Sequence, residues 1–195
     1  MKKFSMFLVI SSLFLSALSF AGDDVNNKNE ATGEVEMFGK RNHATGNGVK
    51  ILHVGFGNYS NGAQNSSAIG FENNLNASRR STLVGYKNYI AHVSDTAIVG
   101  SNNTALGTRV SIFGSDNDTG VGNGTSVMGF NNKVVSYDSA IIGNNNIVAG
   151  TNNFVFGNNI KYSPGTFDTV ALGSDSEVEE PNVVSIGSKK NKEKL

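Results

Sequence analysis

Glycine follows a short apolar run at Gly39, Gly55, Gly70, Gly85, Gly100, Gly114, Gly129, Gly143, Gly157, Gly173 and Gly187, with every gap between 14 and 16 residues. A clock this regular over about 150 residues limits the chain to a solenoid of short repeated coils. The residue before each glycine is always apolar, from Phe38 through Val99 and Met128 to Ile186. Three places after it stands asparagine, at Asn42, Asn58, Asn73, Asn88, Asn103, Asn117, Asn132 and Asn146. After Gly157, Gly173 and Gly187 that place holds Ile160, Ser176 and Lys190 instead. Glycine accepts positive φ without steric cost, and asparagine tolerates the left-handed region. An asparagine amide also bonds the local backbone or the asparagine one coil above, so the two columns read as a structural turn ladder.

The strand before each glycine is apolar on both faces. Counting back from the glycine, −1 and −3 share one face and −2 and −4 the other. Position −2 carries Ala68, Leu83, Ile98, Ile112, Val127, Ile141, Val155 and Ala171. A strand apolar on both faces expects cover on both. No helical periodicity occurs after the N-terminal apolar run, so no helix supplies that cover. One coil holds two short strands and two turns and buries one face in its interior. The other face is expected to meet a second copy of the chain, and the −2/−4 face is assigned to that contact. Coils stacked at strand spacing rise about 4.8 Å each, so ten make a rod of roughly 48 Å.

Composition closes off several functions. Lys plus Arg and Asp plus Glu are each 16, which argues against a basic nucleic-acid binder and an acidic polyanion mimic. Without cysteine there is no disulfide framework, thiolate metal site or cysteine nucleophile. Lys2 and Lys3, the apolar run Phe4 to Phe20 and the small pair Ser19 and Ala21 describe a secretory signal peptide over 1–21. Its removal leaves 14 basic against 16 acidic residues, a charge of −2. Residues 22–34 lack the pattern and read as a mobile leader, 35–187 as the repeat-built body, and the charged 188–195 as its end.

The units Asn65-Ser66-Ser67-Ala68-Ile69-Gly70, Asp95-Thr96-Ala97-Ile98-Val99-Gly100, Asp138-Ser139-Ala140-Ile141-Ile142-Gly143 and Asp168-Thr169-Val170-Ala171-Leu172-Gly173 resemble the head repeat of YadA-like trimeric autotransporter adhesins. The resemblance covers about 35–187. It implies an all-β, left-handed parallel β-roll assembled as a homotrimer. It further implies a non-enzymatic head that binds host cell-surface or extracellular-matrix proteins, exported and shown on an outer membrane when part of a full-length autotransporter, otherwise periplasmic or secreted. Asn182 to Ser188 looks like the last head repeat, and 188–195 like the start of a neck. No a/d heptads and no amphipathic C-terminal strands follow, so this stretch by itself is expected to lack an anchor.

Candidate contact residues are Arg79 and Arg80, which interrupt a low-charge body, with Tyr59, Phe71, Tyr86 and Tyr89 near the turns. Stacking between coils is the favoured role for the aromatics, and an exposed binding patch is the alternative. His43, His53 and His92 lie in different repeats, so no metal site is expected, and His53 at −2 is placed at a subunit contact. Asp116-Asn117-Asp118-Thr119-Gly120 lacks the later ligands of a calcium loop. The Asn-Gly pairs at Asn47, Asn61 and Asn123 signal hairpins, but the glycine period outweighs them. No catalytic residue and no cofactor is expected. Two other solenoids compete: an ice-binding one, for which the −4 column is too mixed, and a left-handed β-helix acyltransferase, whose coil of eighteen does not fit these gaps.

Overall fold

The computed structural model of the protein describes residues 26–187, and the segments read as signal peptide and neck lie outside them. The described residues form 21 strands, every pair of which runs parallel. The protein is an all-β parallel solenoid with turns of about 15 residues. The Asn-Gly pairs therefore close no hairpins.

Two ladders run the length of the rod. The first holds the strands that carry the repeat glycines: β2 (Val35–Lys40), β4 (Val49–Phe56), β6 (Gln64–Phe71), β8 (Thr82–Tyr86), β10 (Ala97–Ser101), β12 (Ser111–Ser115), β14 (Ser126–Phe130) and β16 (Ala140–Asn144). It ends with the second part of β17 (Ile147–Phe156), β19 (Phe167–Leu172) and β21 (Val184–Ile186). The second ladder alternates with it: β1 (Lys28–Ala31), β3 (His43–Gly46), β5 (Tyr59–Asn61), β7 (Asn74–Asn76), β9 (Tyr89–Ala91), β11 (Thr104–Ala105), β13 (Asp118–Thr119) and β15 (Lys133–Tyr137). The first part of β17, β18 (Lys161–Tyr162) and β20 (Glu177–Val178) complete it. Glycine faces glycine in the first ladder, as in Gly85 against Gly100 and Gly100 against Gly114. Register is set by the sequence period, since a one-residue slip would turn every side chain over.

The face assignment made from sequence is reversed. Position −2 is the interior: Ala68, Leu83, Ile98, Ile112, Ile141, Val155 and Ala171 have no exposed surface. Across the coil, Ala44, Leu75, Ile90, Val134 and Val148 of the second ladder complete one continuous core. Position −4 is interior as well, and its polar groups bond within the fold. Ser66 Oγ donates to the carbonyl of Gln64 and accepts from the Ser81 amide, and Ser81 Oγ accepts in turn from the Thr96 amide. The −1 column points outward, with Phe113 at 50%, Met128 and Phe156 at 54% and Ile186 at 63% exposure. Alternation cannot separate two apolar faces. Self-satisfied hydroxyls at −4 are what let that face close inward, because a buried hydroxyl with a partner costs little.

The segment 22–34 is not wholly a leader. Strand β1 lies in it and pairs with β3, and Asn27 accepts from the Asn42 amide while donating to the carbonyl of Gly39. The solenoid thus extends at least a coil further than the glycine clock, because Asn27 sustains the ladder without a glycine three places before it.

At the repeat glycine two demands coincide. Gly100 has φ +141°, and a Cβ there would lie 1.7 Å from the Gly114 carbonyl oxygen. Gly62 has φ +63° and open space around it. Chemical denaturation should show Gly100→Ala losing more than about 2 kcal/mol, and Gly62→Ala about 1 kcal/mol.

Candidate functional site

The asparagine column is a continuous hydrogen-bonded ladder through eight coils. Asn58 Nδ2 donates to Asn42 Oδ1 at 3.1 Å and to the Gly70 carbonyl at 3.0 Å, while Asn58 Oδ1 accepts from the amide and side chain of Asn73. The same exchange passes through Asn73, Asn88, Asn103, Asn117 and Asn132 to Asn146. All eight are buried. Where the column stops, Asn146 Oδ1 takes the amide of Ile160, and Ser176 Oγ donates to the Gly187 carbonyl. These groups are fully engaged with one another, so the column is scaffold.

Beyond the repeat glycines, positive φ falls not on these asparagines but beside them. It belongs to the residue before each asparagine, among them Arg41, Glu72, Lys87, Asn102, Asp116 and Asn131. A second such corner lies five places before the glycine, at Lys50, Asn65, Arg80, Asp95, Arg109, Asp138, Asn152, Asp168 and Asn182. This second corner had a signal in the sequence: Asn or Asp opens each of the four repeat units quoted above, and those residues enter the left-handed region most readily. The corners stack outward into short polar ladders. Asn102 Nδ2 donates to Asp116 Oδ1 at 3.1 Å, and Asn152 Nδ2 to Asp168 Oδ1 at 2.9 Å.

The six candidate contact residues occupy three different places. Phe71 and Tyr86 join Phe56 in a partly exposed stack on the first ladder, with ring centroids 4.9 Å and 5.5 Å apart. Arg41 lies 5.3 Å from the Phe56 ring and Lys87 Nζ 5.0 Å from that of Tyr86, so a cation sits at each end. Tyr59 and Tyr89 stand on the second ladder with Asn74 between them in register. The Tyr59 ring packs edge-on to His43 at 5.5 Å. Arg79 and Arg80 occupy the second corner. Arg79 Nε donates to Gln64 Oε1 at 3.1 Å, and Arg80 makes a two-point ion pair with Asp95 that holds the carboxyl below its ordinary pKa.

His53 is a correction. It is wholly buried in the −2 column, paired in register with Met37 on one side and Ala68 on the other. Neither ring nitrogen has a hydrogen-bond partner among the described residues. Burial pushes its pKa down to about 4, with His43 nearby adding to the shift. The Thr and Ser positions weighed for ice binding, such as Thr96, Thr125 and Thr169, are also interior and present no surface. Among the described residues no three His, Asp or Glu side chains converge as metal ligands. No helix of the described residues is long and apolar enough to cross a membrane.

No protein family and no curated protein matches the chain. Among solved structures it is similar to the polySia-specific acetyltransferase NeuO at 14% identity, over 84% of this chain and 80% of that one. The TM-score of 0.21 is too low for the likeness to carry an argument.

Two outcomes test this geometry. Asn88→Ala removes an amide that donates to Asn73 and Gly100 and accepts from Asn103, so it should cost about 2–4 kcal/mol in a denaturant titration. Because the folded-state pKa of His53 is depressed, its contribution is complete above the unfolded value near 6.5 and fades as pH falls toward 4. The loss should reach about 3 kcal/mol. His53→Leu should flatten that part of the stability–pH curve.

Proposed function

We propose that this chain is the head of a trimeric surface adhesin: three left-handed β-rolls packed along their −1 columns, with their remaining sides turned toward a host cell-surface or matrix protein. The observation that carries the proposal is the exposed apolar column on the first ladder. Phe38, Val99, Phe113, Met128, Phe156 and Ile186 stand at matching positions from one end of the rod to the other. An apolar stripe of that length on a soluble chain calls for a partner surface. A self-similar rod meets it best with its own copies in parallel, because their coil spacings then coincide.

A second exposed apolar group supports a ring over a simple pair. Leu106, Val135 and Ile147 lie on the side of the second ladder. A cyclic trimer joins two different faces of each chain, whereas a two-fold dimer joins one face to itself. The resemblance of the repeat to YadA-like heads points to the same assembly. A binding role without chemistry fits a molecule in which each polar arrangement is repeated rather than gathered at one place. Three identical sides would add avidity. Export through the signal peptide and display at the outer membrane belong to this proposal.

The test uses the chain from Gly22 with a trimeric coiled coil fused after Leu195, beside the unfused chain. Light scattering should give three chains per particle, and the double change Phe113→Lys, Met128→Lys should reduce the unfused assembly to monomers with unaltered circular dichroism. The fused trimer should bind cultured cells or matrix proteins at least tenfold better than the monomer. An unfused wild-type monomer that keeps its apolar stripe free in solution, together with a fused trimer that binds no cell or matrix protein, refutes the proposal.

A further inference from the structure

The neutrality of the sequence conceals an axial separation of charge. In a solenoid, position in the chain is position along the rod. Between 26 and 112 stand eight Lys and Arg against five Asp and Glu, a balance of +3. Between 113 and 187 there are two against eight, a balance of −6. The sign changes within one coil, between Arg109 and Asp116.

Four of the positive half's eight cations lie at or beside the second corner. Lys50, Arg80 and Arg109 stack there with Asn65 and Asp95 in one column of left-handed residues, and Arg79 stands beside Arg80. The column is held in step by the backbone: the Arg80, Asp95 and Arg109 amides donate to the carbonyls of Gln64, Arg79 and Ser94. Asp95 is the one carboxylate within this set; it pairs with Arg80 and also feels the charge of Arg109, which leaves a net excess of cations on the corner. Next to the column a shallow groove of about 290 Å³ is lined by Gln64, Arg79, His92 and Ser94 among others. Farther along the same corner the column turns acidic, at Asp138 and Asp168.

We infer that this corner binds an anionic polysaccharide, through the guanidinium groups of Arg79 and Arg109 and the amide and hydroxyl groups of the groove. Guanidinium groups meet carboxylate or sulfate oxygens in two-point hydrogen bonds, and the polar lining suits sugar hydroxyls rather than an apolar ligand. Four coil steps separate Lys50 from Arg109, about 19 Å, the reach of a short oligosaccharide. The acidic half of the rod repels any stiff polyanion that continues along it, which disfavours duplex nucleic acid. This inference adds a carbohydrate ligand, as carried by cell-surface and matrix proteins, to the adhesin reading and rests on that reading for its setting, but the binding belongs to a single chain.

Calorimetric titration of the chain from Gly22 is made with a heparin octasaccharide, a hyaluronan octasaccharide and de-sulfated heparin. Binding of heparin is expected: heparin alone marks sulfate as the recognised group, and binding also of hyaluronan and de-sulfated heparin, both of which carry uronate carboxylates, marks carboxylate. Affinity should fall on the order of tenfold from 50 to 200 mM salt. Arg79→Ser with Arg109→Ser should lower affinity at least tenfold at an unchanged melting temperature, while Lys133→Ser with Lys161→Ser should leave it as it was. Absence of binding at 50 mM salt, an equal loss from both double variants, or equal affinity for a DNA duplex overturns the inference. Light scattering on the same samples keeps the two readings apart: a monomer that binds glycan removes the trimer alone, and a trimer that binds cells but no glycan removes this site alone.

Discussion

Everything in this rod depends on one close approach, that of a glycine to the carbonyl of the glycine a coil away. A methyl group at Gly85 would stand 1.9 Å from the Gly100 oxygen, and the spacing recurs along most of the first ladder. The carbonyls so exposed to the next layer are bonded by asparagine amides, as Asn88 does for Gly100 and Asn103 for Gly114. Glycine permits the approach and asparagine satisfies what the approach would otherwise leave bare. A buried amide of this kind would cost several kcal/mol alone, and it is tolerated because each one completes its neighbour. Cooperative stacking takes the place of the disulfides that a cysteine-free chain cannot form.

That scaffold explains why polar residues make up about half of the buried set yet the surface carries an apolar stripe. The asparagine and −4 columns bond to themselves and to the backbone inside, which leaves aliphatic and aromatic side chains to be shared between core and exterior. Leu83, Ile98 and Ile112 went inward, and Val84, Val99 and Phe113 outward. A chain with hydrophobic residues on both sides of one strand is built to be completed by another surface. His53 is the exception within the core, a titratable ring without a hydrogen-bond partner among the described residues, where the neighbouring coils carry Met37 and Ala68. It makes the N-terminal coils the acid-sensitive part of the rod.

Linearity also makes function a matter of axial position. In a globular protein, residues distant in sequence are gathered into one site. Here each residue meets its counterparts 14 to 16 places away, so side chains gather in columns and charge partitions by half. Arg80 meets Asp95, and Lys87 approaches Glu72 at 3.5 Å, each pair joined across one coil. The candidate contact residues separate for the same reason: Phe71 with Tyr86, Tyr59 with Tyr89, and Arg79 with Arg80 belong to different columns and so to different sides.

The sequence by itself determined the repeat, the parallel stacking, the register and the structural part of asparagine, because these follow from a period that counts coil by coil. It was silent on the extra coil at Asn27, where the ladder continues without its glycine. It was equally silent on which face of the first strand turns inward. Period-two patterning ranks faces by hydrophobicity, and Ile98 and Val99 rank alike. Only the tertiary structure decided between them, through the hydrogen bonds available to the −4 hydroxyls inside the coil and the fit of the −2 column against the second ladder.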